Sequence, residues 1–317
     1  MTAPLITVFG ATGRQGGAVA RAMLADPHRR FRVRAVTRRP GSDAARSLAA
    51  AGAEVCAADL DVAASVERAM RGAHGAFCTT SSREHGSPER ELAHAHGLAR
   101  AAARAGVAHV VWATFEDTRE FVRCGAMPAR CGRYNVPSQD AKGEANRAFV
   151  DSGVPTTLLY PSFAWEDLLR IAVARRPDRT LELLLPFGAT TLPGMAAEDV
   201  GACALALFAL GEDAVGKSVG IAGEHLAGAR MAELLAAALG TPVVHAPPRP
   251  DVFAARDLPG AAELANLFCF KRDCERIFRN ARSVRCTREL HPRALSFAGW
   301  LAKHRASLRD LAGGRAG

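Results

Sequence analysis

Residues 5–20 read LITVFGATGRQGGAVA, and no other run constrains the chain as much. An apolar, strand-like segment leads into Gly10, Gly13 and Gly16, and these lead directly into a helix-forming segment. Glycines at this spacing do three separate jobs. Gly10 permits a tight turn, Gly13 lets backbone N–H groups approach a pyrophosphate, and Gly16 lets the helix lie close to the strand. The helix N-terminus adds unpaired N–H donors and the positive end of its dipole. The run therefore predicts a βα unit that cradles a dinucleotide, with Thr12, Arg14 and Gln15 in the same loop.

The chain as far as Tyr160 repeats this rhythm. The apolar runs FRVRAVT, AEVCAA, GAFCTT, HVVWAT and PTTLLY alternate with helical stretches over about 16–25, 43–51, 62–71, 89–105 and 140–152. Strands separated by helices of ten or more residues make βαβ units, and strands apolar on both faces are covered on both sides. The fold class is α/β, a doubly wound parallel Rossmann sheet. After Tyr160 the pattern breaks into short strands (LELLLP, VGIAG, TPVVHA) and helices such as GARMAELLAAAL and LSFAGWLAKHRASL. This predicts a Rossmann domain over 1–160 and a smaller α/β second lobe over 161–317 above the carboxyl edge of the sheet. Part of 195–222 is expected to pack back on the sheet. The crevice between the lobes is where such a fold places its ligand.

The end of the second strand decides which dinucleotide fits. An acid there would bind the ribose 2′-hydroxyl of NAD. Here the residues are Arg38 and Arg39, with no acid between Phe31 and Ser42. A guanidinium binds a 2′-phosphate that a carboxylate would repel, so the cofactor expected is NADP(H). By position, Asp59 and Leu60 fall beside the adenine, and Thr79 and Thr80 beside the middle of the cofactor.

Bulk properties exclude several classes. No apolar run approaches the ~20 residues that span a bilayer, and MTAPLITVFG lacks the pattern of a signal peptide, so a cytoplasmic protein without membrane attachment is expected. The eight cysteines show no C-x-x-C pair and no metal-ligand spacing, which predicts free thiols and no metal site. The formal net charge is +9, and arginines 276, 279, 282, 285 and 288 are dense. A period of three drifts around a helix instead of forming one stripe, so a solvated surface is favoured over a nucleic-acid partner.

TVFGATGRQGG, VTRRP, GAEVCAADLDV, GRYNVPSQDAKGE, GVPTTLLYPSFAWEDLL and LPGAAELANLFCF together resemble the NmrA-like family of atypical short-chain dehydrogenase/reductases. HPRALSFAGWLAKH resembles the branch containing an NADPH-sensor protein. The resemblance implies NADP(H) binding, and it explains an oddity. The chain has 37 arginines but only four lysines, one of them Lys142. Lys142 matches the lysine of the Y-x-x-x-K pair of catalytic short-chain reductases, whose ammonium hydrogen-bonds the nicotinamide ribose in a way a planar guanidinium cannot reproduce.

Four residues before Lys142, however, stands Ser138, a far weaker acid than a tyrosine. The family's strand-five serine corresponds to Ala113, and Ser81–Ser82 replace a polar-aromatic pair. Pro161 and Phe163, in PSFAWEDLL, fall on the nicotinamide side. Tyr134, Ser138 and Glu166 stay open as proton donors, and no catalytic residue is assigned. The reading is an NADP(H)-binding regulatory or redox-sensor protein acting through a protein partner. The alternative is an NADPH-dependent reductase of a small apolar substrate such as a quinone or enone. Monomer and homodimer both remain open.

Overall fold

The computed structural model describes residues 2–81, 85–123 and 126–312. Ser82, Cys124 and the tail 313–317 lie outside the described residues. In the first half β1 (Leu5–Val8), β2 (Arg32–Thr37), β3 (Glu54–Ala57), β4 (Gly75–Cys78), β5 (His109–Ala113) and β6 (Thr156–Pro161) alternate with helices. These are α1 (Arg14–Leu24), α2 (Asp43–Ala50), α3 (Ala63–Met70), α4 (Pro88–Arg104), α5 (Pro137–Glu144) and α6 (Asn146–Asp151). Side-chain caps set two of the starts. Ser42 Oγ accepts from the Ala45 N–H at 3.3 Å, and Ser87 Oγ accepts from Arg90 N–H at 3.2 Å ahead of Pro88. By contrast, α1 has no side-chain cap at Gly13, which leaves its first N–H groups to the cleft.

The second half runs β7 (Phe163–Ala164), α7 (Leu168–Ile171), β8 (Val173–Arg175), β9 (Leu181–Leu183), β10 (Thr191–Met195) and α8 (Ala197–Leu210). It continues with β11 (Ser218–Ile221), β12 (Glu224–Ala227), α9 (Gly228–Leu239), β13 (Val243–His245) and α10 (Pro250–Ala254). Five helices end it: α11 (Ala261–Asp273), α12 (Glu275–Asn280), α13 (Val284–Leu290), α14 (Phe297–Lys303) and α15 (Arg305–Ala312).

The main sheet has seven strands in the order β11-β6-β5-β4-β1-β2-β3, every pair parallel. Its order reverses between β1 and β4, which opens the ligand crevice there. β11 comes from the second half and pairs with β6 from Ser218↔Leu158 to Ile221↔Pro161. Two three-stranded sheets, β12-β10-β7 and β13-β9-β8, build the smaller lobe.

Apolar packing covers both faces of the main sheet, around Val8, Phe77, Val111 and Leu159 on one side and Phe9, Ala76, Trp112 and Phe149 on the other. The smaller lobe has its own aromatic core of Trp165, Phe187, Phe253, Phe268, Phe297 and Trp300. A side chain of this size contributes about 1.5–3 kcal/mol when fully buried.

Three elements differ from the sequence reading. The helix expected over 140–152 begins at Pro137 and breaks at Ala145 into α5 and α6. LSFAGWLAKHRASL is likewise split, at His304. The arginine-dense segment is spread over α11, α12 and α13. Within it Arg282 is wholly buried, while Arg279 and Arg285 pair with Glu275 and Glu289.

Candidate active site

One large cleft, of about 900 Å³, lies over the carboxyl ends of the strands. The glycine loop forms its floor. Gly10 adopts φ +66°, and a Cβ there would sit 2.9 Å from Thr79 Cγ2. Gly16 is more tightly constrained, since an added Cβ would lie 2.4 Å from the carbonyl oxygen of Gly10. Gly13 caps α1 and donates its N–H to Gly10 O at 2.8 Å. Thr12 Oγ1 is 3.2 Å from Thr37 Oγ1, which ties the loop to the end of β2. Arg14 crosses the cleft to Asp167 of the smaller lobe, Nη1 to Oδ2 2.7 Å, and Gln15 lines the same stretch.

Where β2 and β3 end, Arg38 and Arg39 line the opening with Asp59 and Leu60. The N–H of Asp59 donates to Ser65 Oγ at 2.9 Å, and this fixes the loop after β3. Asp61, next in line, is paired with Arg90 and lies 2.7 Å from His94 Nε2. Arg90 foremost, and then His94, holds the Asp61 carboxyl well below the usual carboxylate range.

Thr79, Thr80 and Lys142 line the middle of the cleft. Lys142 is only 6% exposed, which rules out a solvated lysine. Its Nζ lies 3.9 Å from Glu91 Oε1 and 5.8 and 5.7 Å from the centres of the Trp112 and Phe115 rings. Glu91 is fully buried, accepts a hydrogen bond from Thr80 Oγ1, and stands 3.5 Å from His85 Nε2. Burial pushes the His85 imidazole below its ordinary range. Sequence reasoning missed Glu91 and His85. Glu91 sits one helical turn before Ala95 on the buried face of α4, so a carboxylate on an apolar stripe was the available signal.

Pro161 and Phe163 complete the predicted set, at the far end of the cleft. Every residue that the sequence nominated for the cofactor thus lines this one cavity. The open proton donors do not fare alike. Tyr134 is held away from the cleft between Arg119 and Arg133, and its hydroxyl is 3.3 Å from Glu144 Oε2. Glu166 caps α8 instead, accepting from Ala197 N–H at 3.0 Å and from Trp300 Nε1 at 3.1 Å. Trp165 is core. Ser138 lines the cleft, and its N–H donates to Glu263 Oε1 at 2.7 Å. Among the described residues no tyrosine lines the cavity and no metal-ligand cluster forms.

Beyond Phe163 the cavity continues into a pocket built by α11. Gly260, Leu264, Leu267, Phe268 and Lys271 line it, recurring at helical spacing. Lys271 is 5% exposed, and its Nζ lies 5.1–5.4 Å from the centres of the Phe163, Phe268 and Phe278 rings. Burial lowers its pKa to about 7. Sequence reading missed Lys271 because it opens the arginine-dense run taken as surface. The scarcity of lysine that singled out Lys142 applied here equally.

The NmrA-like family profile matches residues 2–300. The chain belongs to the NmrA-like family. The NmrA-like family domain-containing oxidoreductase notA of Aspergillus sp. (strain MF297-2) is 37% identical over 153 residues, 47% of this chain and 42% of that protein. The himF protein of Aspergillus japonicus, of the same description, is 35% identical over 178 residues, 54% of this chain and 50% of its own length. These matches span at most about half of each relative.

Among solved structures, the negative transcriptional regulator NmrA in complex with NADP superposes with TM-score 0.82 at 21% identity, covering 99% of this chain and 98% of that one. NmrA has also been crystallised with NAD. At this identity the likeness establishes the family's Rossmann fold and leaves cofactor choice to the residues. No helix among the described residues is long and apolar enough to cross a membrane.

Proposed function

We propose that this NmrA-like chain binds NADP(H) along the cleft and uses it to reduce a small, largely apolar substrate held against the α11 wall. One observation carries this reading: the cavity lined by the residues suited to the dinucleotide is also walled by Phe163, Phe268 and Phe278 around the amine of Lys271. The oxidoreductase names of the fungal relatives agree with it.

The chain's own residues have clear tasks. The N-terminus of α1 and the Gly10–Gly16 loop bind the pyrophosphate through backbone N–H groups. Arg38 and Arg39 supply guanidinium groups for the 2′-phosphate. Lys142, beside Glu91, takes the nicotinamide ribose as its hydrogen-bond partner in this reading. Phe163 and Phe268 exclude water from the reacting end. The bound dinucleotide supplies hydride chemistry.

A second reading, an NADP(H) sensor that reports to a protein partner, is favoured by Ser138 where catalytic short-chain reductases carry a tyrosine. Two measurements decide. Calorimetry is expected to give NADPH affinity well above NADH affinity, and absence of NADPH binding would remove both readings. NADPH oxidation with a quinone or enone separates the reductase from the sensor.

A further inference from the structure

The reduction needs a proton as well as a hydride, and the usual phenol is missing. Every hydroxyl or carboxyl considered from sequence has a structural task or lies away from the aromatic compartment, save Ser138, which is too weak an acid. Lys271 is different. Its ammonium sits among the faces of three rings inside the cavity, and among the described residues no hydrogen-bond acceptor or carboxylate pairs with it. Three aromatic faces offset part of the cost of burying the charge, but cation–π contact leaves the N–H donors unused. A buried amine with unused donors beside an apolar pocket is suited to receive an oxygen atom.

We propose, resting on the reductase reading above, that Lys271 is the proton donor of this site and that its substrate carries a conjugated carbonyl oxygen. The carbonyl oxygen accepts a hydrogen bond from Nζ, which polarises the carbon frame. As the substrate carbon accepts a hydride from NADPH, the π electron pair shifts onto that oxygen. One Nζ–H bond of Lys271 then breaks as an O–H bond forms, and the neutral amine regains a proton from water. An enone ends as its enol, which tautomerises to the ketone, and a quinone ends as the hydroquinone.

The charged groups facing Lys271 are Arg282, from the α12–α13 connection, Glu116, from the segment after β5, and Asp167, before α7. Arg282 adds to desolvation in releasing the proton, and the two carboxylates oppose it. The balance leaves an amine that is protonated below about pH 7 and transfers its proton readily near neutrality.

The test uses the full chain with menadione and 4-phenyl-3-buten-2-one as probes, following NADPH oxidation across pH. The wild type is expected to lose kcat/KM above about pH 7, as Lys271 becomes neutral. Lys271→Met should lower kcat by roughly 100-fold, within the range of general-acid catalysis, with the NADPH dissociation constant unchanged as a check on folding. Lys271→Arg keeps the charge but holds its proton at neutral pH, so it should be as slow as Lys271→Met.

Full activity in Lys271→Met, or rescue by Lys271→Arg, overturns the proposal and leaves the reductase reading standing. A wild type that binds NADPH yet oxidises it with neither probe removes the reductase reading, and the proposal with it. A readout independent of turnover is reductive alkylation by benzaldehyde and cyanoborohydride at pH 7, mapped by peptide mass. Lys271 should be modified ahead of Lys217 and Lys303, because only a neutral amine forms an imine. No adduct at Lys271 overturns its placement as a reactive amine in the cleft.

Discussion

Arg282 and Glu116, 166 residues apart in sequence, form a buried ion pair in which Arg282 Nη2 donates to Glu116 Oε2 at 2.8 Å. The same guanidinium donates through Nε to Pro161 O at 3.0 Å and lies 3.9 Å above the Phe278 ring. One side chain thus joins the end of β6, the segment after β5 and the α12–α13 connection. It holds the aromatic compartment in place from behind. Removing one partner leaves the other as an unpaired buried charge. Glu116→Gln or Arg282→Met is therefore expected to destabilise the fold by about 3–5 kcal/mol in urea titrations. The double substitution should cost less than the two single effects combined.

A side chain at position 16 has nowhere to go, with the Gly10 carbonyl 2.4 Å from where its Cβ would lie. Gly16→Val should separate α1 from the loop and raise the NADPH dissociation constant by at least ~10-fold, since each ~1.4 kcal/mol of lost binding is tenfold. Calorimetry reads this directly, and circular dichroism checks that the sheet survives.

Arg38→Glu is expected to invert cofactor preference. A carboxylate at the end of β2 repels a 2′-phosphate and favours a ribose hydroxyl. Loss of a charge-assisted hydrogen bond, about 1.5–3 kcal/mol, predicts NADPH binding weaker by ~10–100-fold, with NADH binding weakened less or strengthened. Equal losses for both nucleotides would detach Arg38 from the 2′-phosphate.

His109 gives the fold an acid limb. Its Nε2 is 2.8 Å from Thr157 Oγ1, whose own proton goes to Ala214 O at 2.7 Å, so the imidazole donates from Nε2. Nδ1 is buried and has no hydrogen-bond partner among the described residues. Burial lowers the folded-state pKa from 6.5 to about 4. The unfolded chain therefore binds the proton first, and stability falls as pH drops from about 6.5 to 4. The loss should be on the order of 2–3 kcal/mol. His109→Phe, packed against Phe208, should flatten that part of the urea midpoint profile.

Lys271 should cost the protein stability. Its folded-state pKa is depressed from 10.5 to about 7, so the penalty of the buried charge grows as pH falls through that window. Lys271→Met is expected to be more stable than the wild type at pH 7, by on the order of 2–4 kcal/mol. The gain should shrink above pH 10, where the unfolded lysine also becomes neutral. Melting curves at the two pH values test this without any substrate.

Much of the fold was legible because its signals are local. The Gly10–Gly16 loop, the apolar β-strands and the helix over 89–105 each depend on neighbours a few residues away. The residues lining that side of the cleft were legible for the same reason, since Arg38, Asp59 and Thr79 all follow strands. Lys142 became legible through its rarity.

The far wall was not legible, because its logic is long-range. Lys271 and Arg282 resemble surface charges until Phe163 and Glu116, more than 100 residues earlier, fold beneath them. Glu166 and Tyr134 had the chemistry of acids, but the α8 N-terminus and the Arg119–Arg133 pair had already engaged them.

That β11 is contributed by the second half of the chain has a topological consequence. A piece ending near Pro161 would keep the nucleotide loop but expose the whole outer rim of β6, a row of amide and carbonyl groups seeking another strand. Such a fragment would associate with itself sooner than stand alone. The two halves are therefore stitched into one object, and cutting the chain between them would not release a free-standing nucleotide module.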